Sequence, residues 1–497
     1  MYRLKSYGII KIRKKVNFMI KTRFAPSLSG YMHIGNLRSA LFAYLIAKQD
    51  EGEFVLRIED TDRSRSRIGV EEQIYNILNA FQLTYDEGPH RETNNTEYVQ
   101  SKRLDIYKSY AEKLLKKGEA YYCFCDKKTL NANRMKANEE KQNFLYEDPC
   151  RIIGIEEAKN RVLAGESYTI RQKMPKTGQT SFRDLVYGDI TFDNSTLEDQ
   201  ILIKSDGFPT YNFANVIDDA LMEITHVTRG CEYLSSMPKY LLLYEALNFP
   251  RPEFVHLPLV RIKEKGVLIK NYKEDDLMDL LNQGFLPSAI INYMALLGWN
   301  PRTNQEFFTL QELINEFDIS KITKRPCCYD IKKLVWFNKH YISKMNDQEY
   351  INFTRPYLEN VYNLKDKTEE WINNLLLLFK KHLHFGSEIA LVSNLFFRKT
   401  IVLDEKCINY LRSDELIPSV LTTFKEEVEN CSNWNLQNIE ELLKRVELKT
   451  NSTKEKTYMP IRIVVTGLNY GRELSKTLFL LEQQTIIKRV ENSIGMY

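Results

Sequence analysis

The chain has 497 residues, 43% hydrophobic and 27% charged; at ~150 residues per domain this gives about three domains with real cores and excludes a largely disordered protein. Lys and Arg total 70 against 66 Asp and Glu, a net charge of +4, so a polyanionic partner would be met by local basic patches and not by a global field. No uncharged apolar run approaches the ~20 residues of a membrane helix, and eight cysteines in so long a chain argue for a reducing compartment over a disulfide scaffold.

Residues 1–19 form a basic extension. Arg3, Lys5, Lys11, Arg13, Lys14 and Lys15 occur there without a single acid. The preferred reading is an upstream start, with Met19 as the functional one; the alternative is an organellar transit segment, since those are Arg-rich and acid-poor. Residues 20–25 read as a strand, 26–30 as a turn, 35–49 as a helix with apolar positions at helical spacing, and 53–58 as a second strand. Strand, glycine turn, helix and strand make a βαβ unit, whose ligand crevice lies at the carboxyl ends of its parallel strands. Less periodic, polar material from 106 to 199 reads as an insertion. The nucleotide-binding pattern resumes at 200–255, and from about 305 onward the chain reads as helical to its end.

The first chemical signal is Arg23-Phe-Ala-Pro-Ser27-Leu-Ser-Gly30-Tyr-Met-His33-Ile-Gly35-Asn36, placed where a strand hands over to a helix. Gly30 and Gly35 let backbone approach a ligand, and the helix start offers free N–H groups and a positive dipole end to phosphate. A lone histidine at such a turn is more often structural, but here the neighbours matter. The His-Ile-Gly segment resembles the signature that opens class I aminoacyl-tRNA synthetases. With Leu56-Arg-Ile-Glu-Asp-Thr-Asp62, Lys204-Ser-Asp-Gly-Phe-Pro-Thr-Tyr211, Asn215-Val-Ile-Asp-Asp219, Thr225-His-Val-Thr-Arg229-Gly-Cys-Glu232, Ile291-Asn-Tyr-Met-Ala-Leu-Leu-Gly-Trp299 and Met459-Pro-Ile-Arg-Ile-Val-Val-Thr-Gly467, the chain is similar to bacterial-type glutamyl-tRNA synthetases along nearly its whole length.

The resemblance implies an α/β fold: a Rossmann-like parallel-sheet catalytic domain (20–105 and 200–255), an inserted α+β domain for the tRNA acceptor end (106–199), a signature-loop and stem-contact region (256–330) and an all-helical anticodon-binding half (331–497). It implies L-glutamate, ATP with Mg²⁺, and tRNA(Glu), with tRNA(Gln) as an open second substrate. His33, Gly35, Glu232, Leu268 and Lys270 would serve ATP, with His33 and Lys270 acting on its phosphates. Arg23, Ala25, Ser27, Glu59, Tyr211, Asn215 and Arg229 would hold glutamate. Arginine suits a carboxylate because its planar fork bonds both oxygens; Arg229 is the expected reader of the side-chain carboxylate, and Glu59 the receiver of the ammonium. A monomer in the cytoplasm is expected, or in an organelle matrix if the basic extension is a transit segment.

Two departures from the family pattern stand out. The second class I signature, typically Lys-Leu-Ser-Lys-Arg, reads here as Val267-Leu-Ile-Lys-Asn271. Losing two cations from a phosphate clamp predicts slower turnover, since one such donor is commonly worth ~10²–10³ in rate. A slow specialised copy, or a tRNA-binding relative without effective turnover, is the alternative reading. The second departure is metal: Cys123, Cys125 and Cys150 resemble a zinc site, but structural zinc takes four ligands and the expected fourth position is Ile152. Zinc is left one ligand short. Arg63, Arg65 and Arg67, with Lys321, Lys324, Arg325, Lys332 and Lys333, are candidate tRNA-phosphate contacts.

Overall fold

The computed structural model describes residues 19–91, 96–126, 135, 149–264, 267–269 and 277–494. Contacts divide the chain into two units, 1–277 with 291–330, and 278–290 with 331–497.

The first unit opens with β1 (Lys21–Phe24), α1 (Ile34–Gln49) and β2 (Glu53–Leu56). β1 and β2 pair in parallel, Lys21 opposite Glu53 and Phe24 opposite Leu56, so the βαβ unit forms as its pattern predicts. α1 is apolar on nearly every side: Leu37, Ala40, Leu41, Phe42, Ala43, Leu45 and Ile46 are all buried, as befits a helix covered all round. α2 (Val70–Ala80), α3 (Leu104–Lys117), β3 (Ala120–Cys123), α4 (Ile155–Leu163), β4 (Thr169–Gln172), β5 (Gln179–Asp184), β6 (Gly188–Asp193) and β7 (Ile201–Ile203) follow. Next come α5 (Tyr211–Leu221), β8 (His226–Gly230), α6 (Met237–Leu247) and β9 (Glu253–Leu257).

The main sheet runs β2-β1-β8-β9-β5-β6, parallel except for the β5–β6 hairpin. The chain leaves β1 toward β2 in one direction and β8 toward β9 in the other. The sheet therefore has a topological switch between β1 and β8, where ligands of open α/β sheets bind. β5 and β6 lie inside the stretch read as an insertion, yet they extend this sheet, with Asp184 opposite Phe254. That pairing joins residues 70 positions apart, which no local pattern announces. A separate antiparallel sheet, β3-β4-β7, takes two strands from the stretch read as an insertion and its last, β7, from the residues read as the resumed nucleotide-binding half.

A third sheet, β11-β10-β12, combines β10 (Val260–Glu264), β11 (Val267–Ile269) and β12 (Cys327–Tyr329). It corrects the reading of 305 onward as wholly helical: β12 is a three-residue strand held by a non-local parallel partner. β11 is the start of the second signature. Where the family has Lys-Leu-Ser, this chain has Val-Leu-Ile, an aliphatic run with strand preference, and it pairs Val267 with Glu264 and Ile269 with Ile262.

The second unit is built of helices, among them Ile331–Lys344, Asp347–Glu359, Glu369–Phe379, Leu416–Glu429, Leu436–Thr450, Lys454–Thr466 and Gln483–Ile494. Asn346 and Glu349 close a reciprocal capping box, and Thr368 and Thr453 cap two further helix starts, each cap being worth ~1 kcal/mol. Leu375, Leu376, Val420, Leu421, Leu442, Leu443 and Val446 meet in one fully buried core.

Candidate active site

The glutamate candidates lie at the carboxyl ends of β2, β1 and β8. Arg23, Ala25 and Ser27 belong to the end of β1 and its turn; Glu59 follows β2; Arg229 is the last residue but one of β8. The turn is tied to the β2 strand end, because the Glu59 N–H donates to the Pro26 carbonyl at 3.0 Å and Ser27 bridges Glu59. α5 closes the wall: Asn215 Nδ2 donates to Glu59 Oε1 at 3.2 Å and to the Tyr211 hydroxyl at 3.5 Å.

Beneath this surface runs a buried chain of alternating charge. Arg23 grips Asp219 with two donors, at 3.0 and 3.2 Å, and gives a third to the Thr228 carbonyl. Asp219 also receives Arg57 Nη1 at 2.7 Å, and Arg57 turns its other face to Glu59 Oε1 at 2.9 Å. Burial disfavours the charge on Arg57, but Asp219, Glu59 and Asp218 outweigh it and raise its pKa well above the guanidinium norm. Asp219 is pushed up by burial, yet Arg23 and Arg57 pull it below the ordinary carboxylate value. Glu59 stays raised, burial winning over its arginines. Its Oε1 is saturated, and among the described residues Oε2 has no protein donor. Beside it on α5, Asp218 accepts from Gln100, Arg103 and Tyr107 and fastens α3 and the residues leading into it to α5.

Arg229 is held differently. Its Nε–H donates to His256 Nε2 at 3.2 Å and its Nη2 to the Met237 thioether at 2.8 Å, the sulfur being a weak acceptor. The guanidinium carbon lies 4.4 Å from the centroid of the Tyr240 ring and 5.4 Å from that of Tyr233. Among the described residues no carboxylate pairs with it, and Nη1 meets no protein acceptor. Tyr211 lies 5.6 Å from Tyr233, ring to ring, and the Asp219–Arg23 pair reaches the Thr228 carbonyl one residue away. Arg229, Tyr211, Asn215 and Glu59 therefore form one connected surface.

His33 caps α1: its Nδ1 accepts the Gly35 N–H at 3.1 Å and its own N–H donates to Asn36. With Nδ1 so engaged, the imidazole proton sits on Nε2, a donor directed away from the helix. Desolvation lowers its pKa below the usual value, keeping it neutral. A β-carbon at Gly35 would lie 3.0 Å from the His33 ring, so any larger residue there would make the capping ring give way by a few tenths of an ångström. Glu232 is exposed, and its carboxylate folds over Gly230, where a β-carbon would lie 2.1 Å from it. Leu268 lies in β11, described by its backbone; Lys270 and Asn271 fall outside the described residues.

The thiols of Cys123, Cys125 and Cys150 have ligand atoms within 4.8 Å of one another, and Cys125 and Cys150 sulfurs are 3.6 Å apart. Spacing and donor chemistry fit three sites of a tetrahedral zinc. Ile152, at the expected fourth position, is 91% exposed and supplies no ligand. A cavity of about 610 Å³ beside them is lined by Cys123, Tyr168, Arg171, Lys204 and Asp206. In the helical unit a cavity of about 720 Å³ is lined by Arg398, Arg462, Arg472, Phe396 and Tyr470. Arg57, Asp218, Asp219, His256 and the two cation-facing tyrosines were not singled out from sequence. The available signal was a pair of adjacent acids in α5, set between Val216-Ile217 and Ala220-Leu221.

The family model described as tRNA synthetases class I (E and Q), catalytic domain, matches residues 19–336. The chain belongs to this class I synthetase family. An anticodon binding domain matches residues 349–494. Among curated relatives, the glutamate–tRNA ligase of Clostridium botulinum (strain Okra / Type B1) is 44% identical over 458 residues, 91% of this chain and 93% of its own length. That of Clostridium tetani is 42% identical over 489 residues, 96% and 97% of the two chains. The crystal structure of a glutamate tRNA ligase from Elizabethkingia meningosepticum in complex with its amino acid superposes with a TM-score of 0.86 at 31% identity, covering 96% of this chain and 99% of that one. The synthetase is thus matched along nearly its full length, and no helix among the described residues is long and apolar enough to cross a membrane.

Proposed function

We propose that this synthetase joins L-glutamate to tRNA(Glu) in two in-line steps at one site, in the cytoplasm. The observation that carries the reading is Arg229, a buried guanidinium with neutral partners only. A buried charge without a counter-ion costs several kcal/mol, and the side-chain carboxylate of glutamate would supply it. Neutral glutamine would leave the charge uncompensated. Glu59 Oε2 would take the substrate ammonium, and Tyr211 and Asn215 would line the slot between the two charged ends.

In the first step the α-carboxylate attacks the α-phosphorus of ATP, releasing pyrophosphate and forming glutamyl-adenylate. In the second the terminal ribose hydroxyl of tRNA takes the glutamyl group and AMP leaves. No protein nucleophile is needed; the chain contributes orientation and charge compensation. His33 Nε2–H and the first N–H groups of α1 would donate to phosphate oxygens, and Glu232 would border the adenosine. Mg²⁺ would ride on the phosphates, compensating their charge. Zinc on the trio would brace the inserted domain, whose neighbouring cavity suits the tRNA acceptor end. The arginine- and aromatic-lined cavity of the helical unit suits an unstacked anticodon base.

The test is ATP–pyrophosphate exchange with glutamate in the presence of tRNA, followed by charging of separated glutamate and glutamine tRNAs. Measurable glutamate-dependent exchange is expected, increased when Val267, Ile269 and Asn271 are replaced by Lys, Ser and Arg. Glutamine outcompeting glutamate would overturn the reading. Exchange that is present but slow would favour the second reading, a slow copy, which the altered Val267-Leu-Ile-Lys-Asn271 signature supports.

A further inference from the structure

We propose that Asp184 and His256 are positioning residues for Arg229, forming a buried relay that orients the arginine without cancelling its charge. The inference rests on the reading of Arg229 as the carboxylate reader. The three residues stand on three adjacent strands: Arg229 of β8 is opposite His256 of β9, and Asp184 ends β5, the next strand outward. Asp184 and His256 are fully buried. Asp184 Oδ2 lies 2.6 Å from His256 Nδ1, and Oδ1 accepts the N–H groups of Val186 and Tyr187 at 2.9 and 2.8 Å.

The proton positions follow from donor chemistry. A guanidinium Nε–H can only donate, and an ionised carboxylate can only accept. His256 Nε2 must therefore carry its lone pair toward Arg229, and Nδ1 must carry the proton toward Asp184. The ring is neutral and in one tautomer. This matters because an anionic residue in the same place would orient Arg229 equally well but neutralise it. An imidazole lone pair fixes the geometry and leaves the positive charge for a substrate anion.

The groups facing His256 are few. Asp184 faces it from β5, Arg229 from β8 and the Arg23 charge from β1, with the rings of Phe182 and Phe254 on its flanks. Burial and the two arginines disfavour a protonated ring, and Asp184 favours it; the balance is a pKa below the ordinary value. Acidification would convert the acceptor into a donor and set a second cation against Arg229.

The experiment measures kcat and KM for glutamate by tRNA-dependent pyrophosphate exchange, across about pH 5.5 to 8, around the ordinary imidazole pKa. It compares wild type, Asp184→Asn and His256→Gln. Asp184→Asn lets the amide donate to Nδ1 and moves the ring proton to Nε2, against Arg229. Glutamate KM should rise ~10–100-fold, the scale of one hydrogen bond to a charged group, with kcat changed far less. His256→Gln keeps an acceptor toward Arg229 and a donor toward Asp184, so its KM should stay within ~3-fold of wild type and lose the acid-side rise. An unchanged KM in Asp184→Asn, or an acid rise that persists in His256→Gln, overturns the relay. ¹⁵N shifts of the His256 ring, assigned against His256→Gln, read the tautomer without any substrate. A proton on Nδ1 is expected, and a proton on Nε2 at neutral pH overturns the relay. If wild type shows the Nδ1 tautomer but no glutamate-dependent exchange, the relay stands and the glutamate reading falls.

Discussion

Arg23 and Arg229 stand near the ends of neighbouring strands and are almost equally buried, 4% and 6% exposed, yet they are partnered in opposite ways. Arg23 shares Asp219 with Arg57, and every cation in that chain has an anion against it. Arg229 has an imidazole, a thioether and two tyrosine faces. The difference separates two uses of buried charge. A paired guanidinium is part of the protein's own structure; an unpaired one is structure waiting for a partner from solution. On this criterion Arg23 is scaffold first and substrate contact second, although both arginines are equally good carboxylate binders on chemistry alone.

The contrast breaks most visibly at Asp219. Asp219→Asn leaves Arg23 and Arg57 buried with half their compensation, and should lower unfolding free energy by about 3–5 kcal/mol, the cost of removing one partner of a buried pair. A denaturant titration reads it, and a loss under about 1 kcal/mol, the exposed-pair scale, would mean that the network is not structural. Next in size is the second signature. The combined Val267→Lys, Ile269→Ser and Asn271→Arg variant should raise pyrophosphate exchange ~10²-fold, one charged donor's worth; an unchanged rate would show that this chain clamps the triphosphate by other means.

Acid sharpens the comparison through Asp219. Its native pKa is depressed, so its contribution is complete above the ordinary carboxylate value and is lost as pH falls through the lower native value. Glu59, whose pKa is raised, works the other way and is relieved by protonation on the way down. The acid loss below about pH 4 should therefore be smaller in Asp219→Asn by the share Asp219 contributes, the rest coming from other depressed carboxylates such as Asp318 and Glu427. Smaller still is His33→Ala: about 1 kcal/mol for the lost cap, seen as an earlier denaturant midpoint. The sign reverses at Arg229→Leu, which removes a buried charge no residue compensates and should leave unfolding free energy unchanged or raise it by up to about 4 kcal/mol, as apolar replacement of buried charge can do; a loss of stability would mean that the charge is compensated within the fold.

What the sequence made legible was local. The strand–turn–helix–strand run from Lys21 to Leu56 is contiguous and obeys short-range rules, whereas the capping role of His33, read from sequence only as a phosphate donor, is shown by its bond to the Gly35 N–H. The glutamate candidates were found through motif likeness and not through pattern. What stayed hidden is long-range. Asp184 meets His256 across 72 positions and Arg57 meets Asp219 across 162, and β12 gains its strand character from β10 alone. Arg57 read as one charge in a strand segment, and only three-dimensional pairing shows that its neighbour Glu59 keeps one oxygen free. Val267 to Ile269 was read as a degraded loop; it is a short strand because the replacements that removed its cations also favour extended backbone.

The central claim, that Arg229 is left unpaired to receive the substrate's side-chain carboxylate, is tested most directly by the ratio of kcat/KM for glutamate over glutamine in wild type and Arg229→Leu. The account predicts a wild-type ratio that falls at least ~10²-fold in the variant, on the scale of a charged group left unpaired in a polar site, while the fold is retained. A ratio that Arg229→Leu leaves unchanged would contradict it.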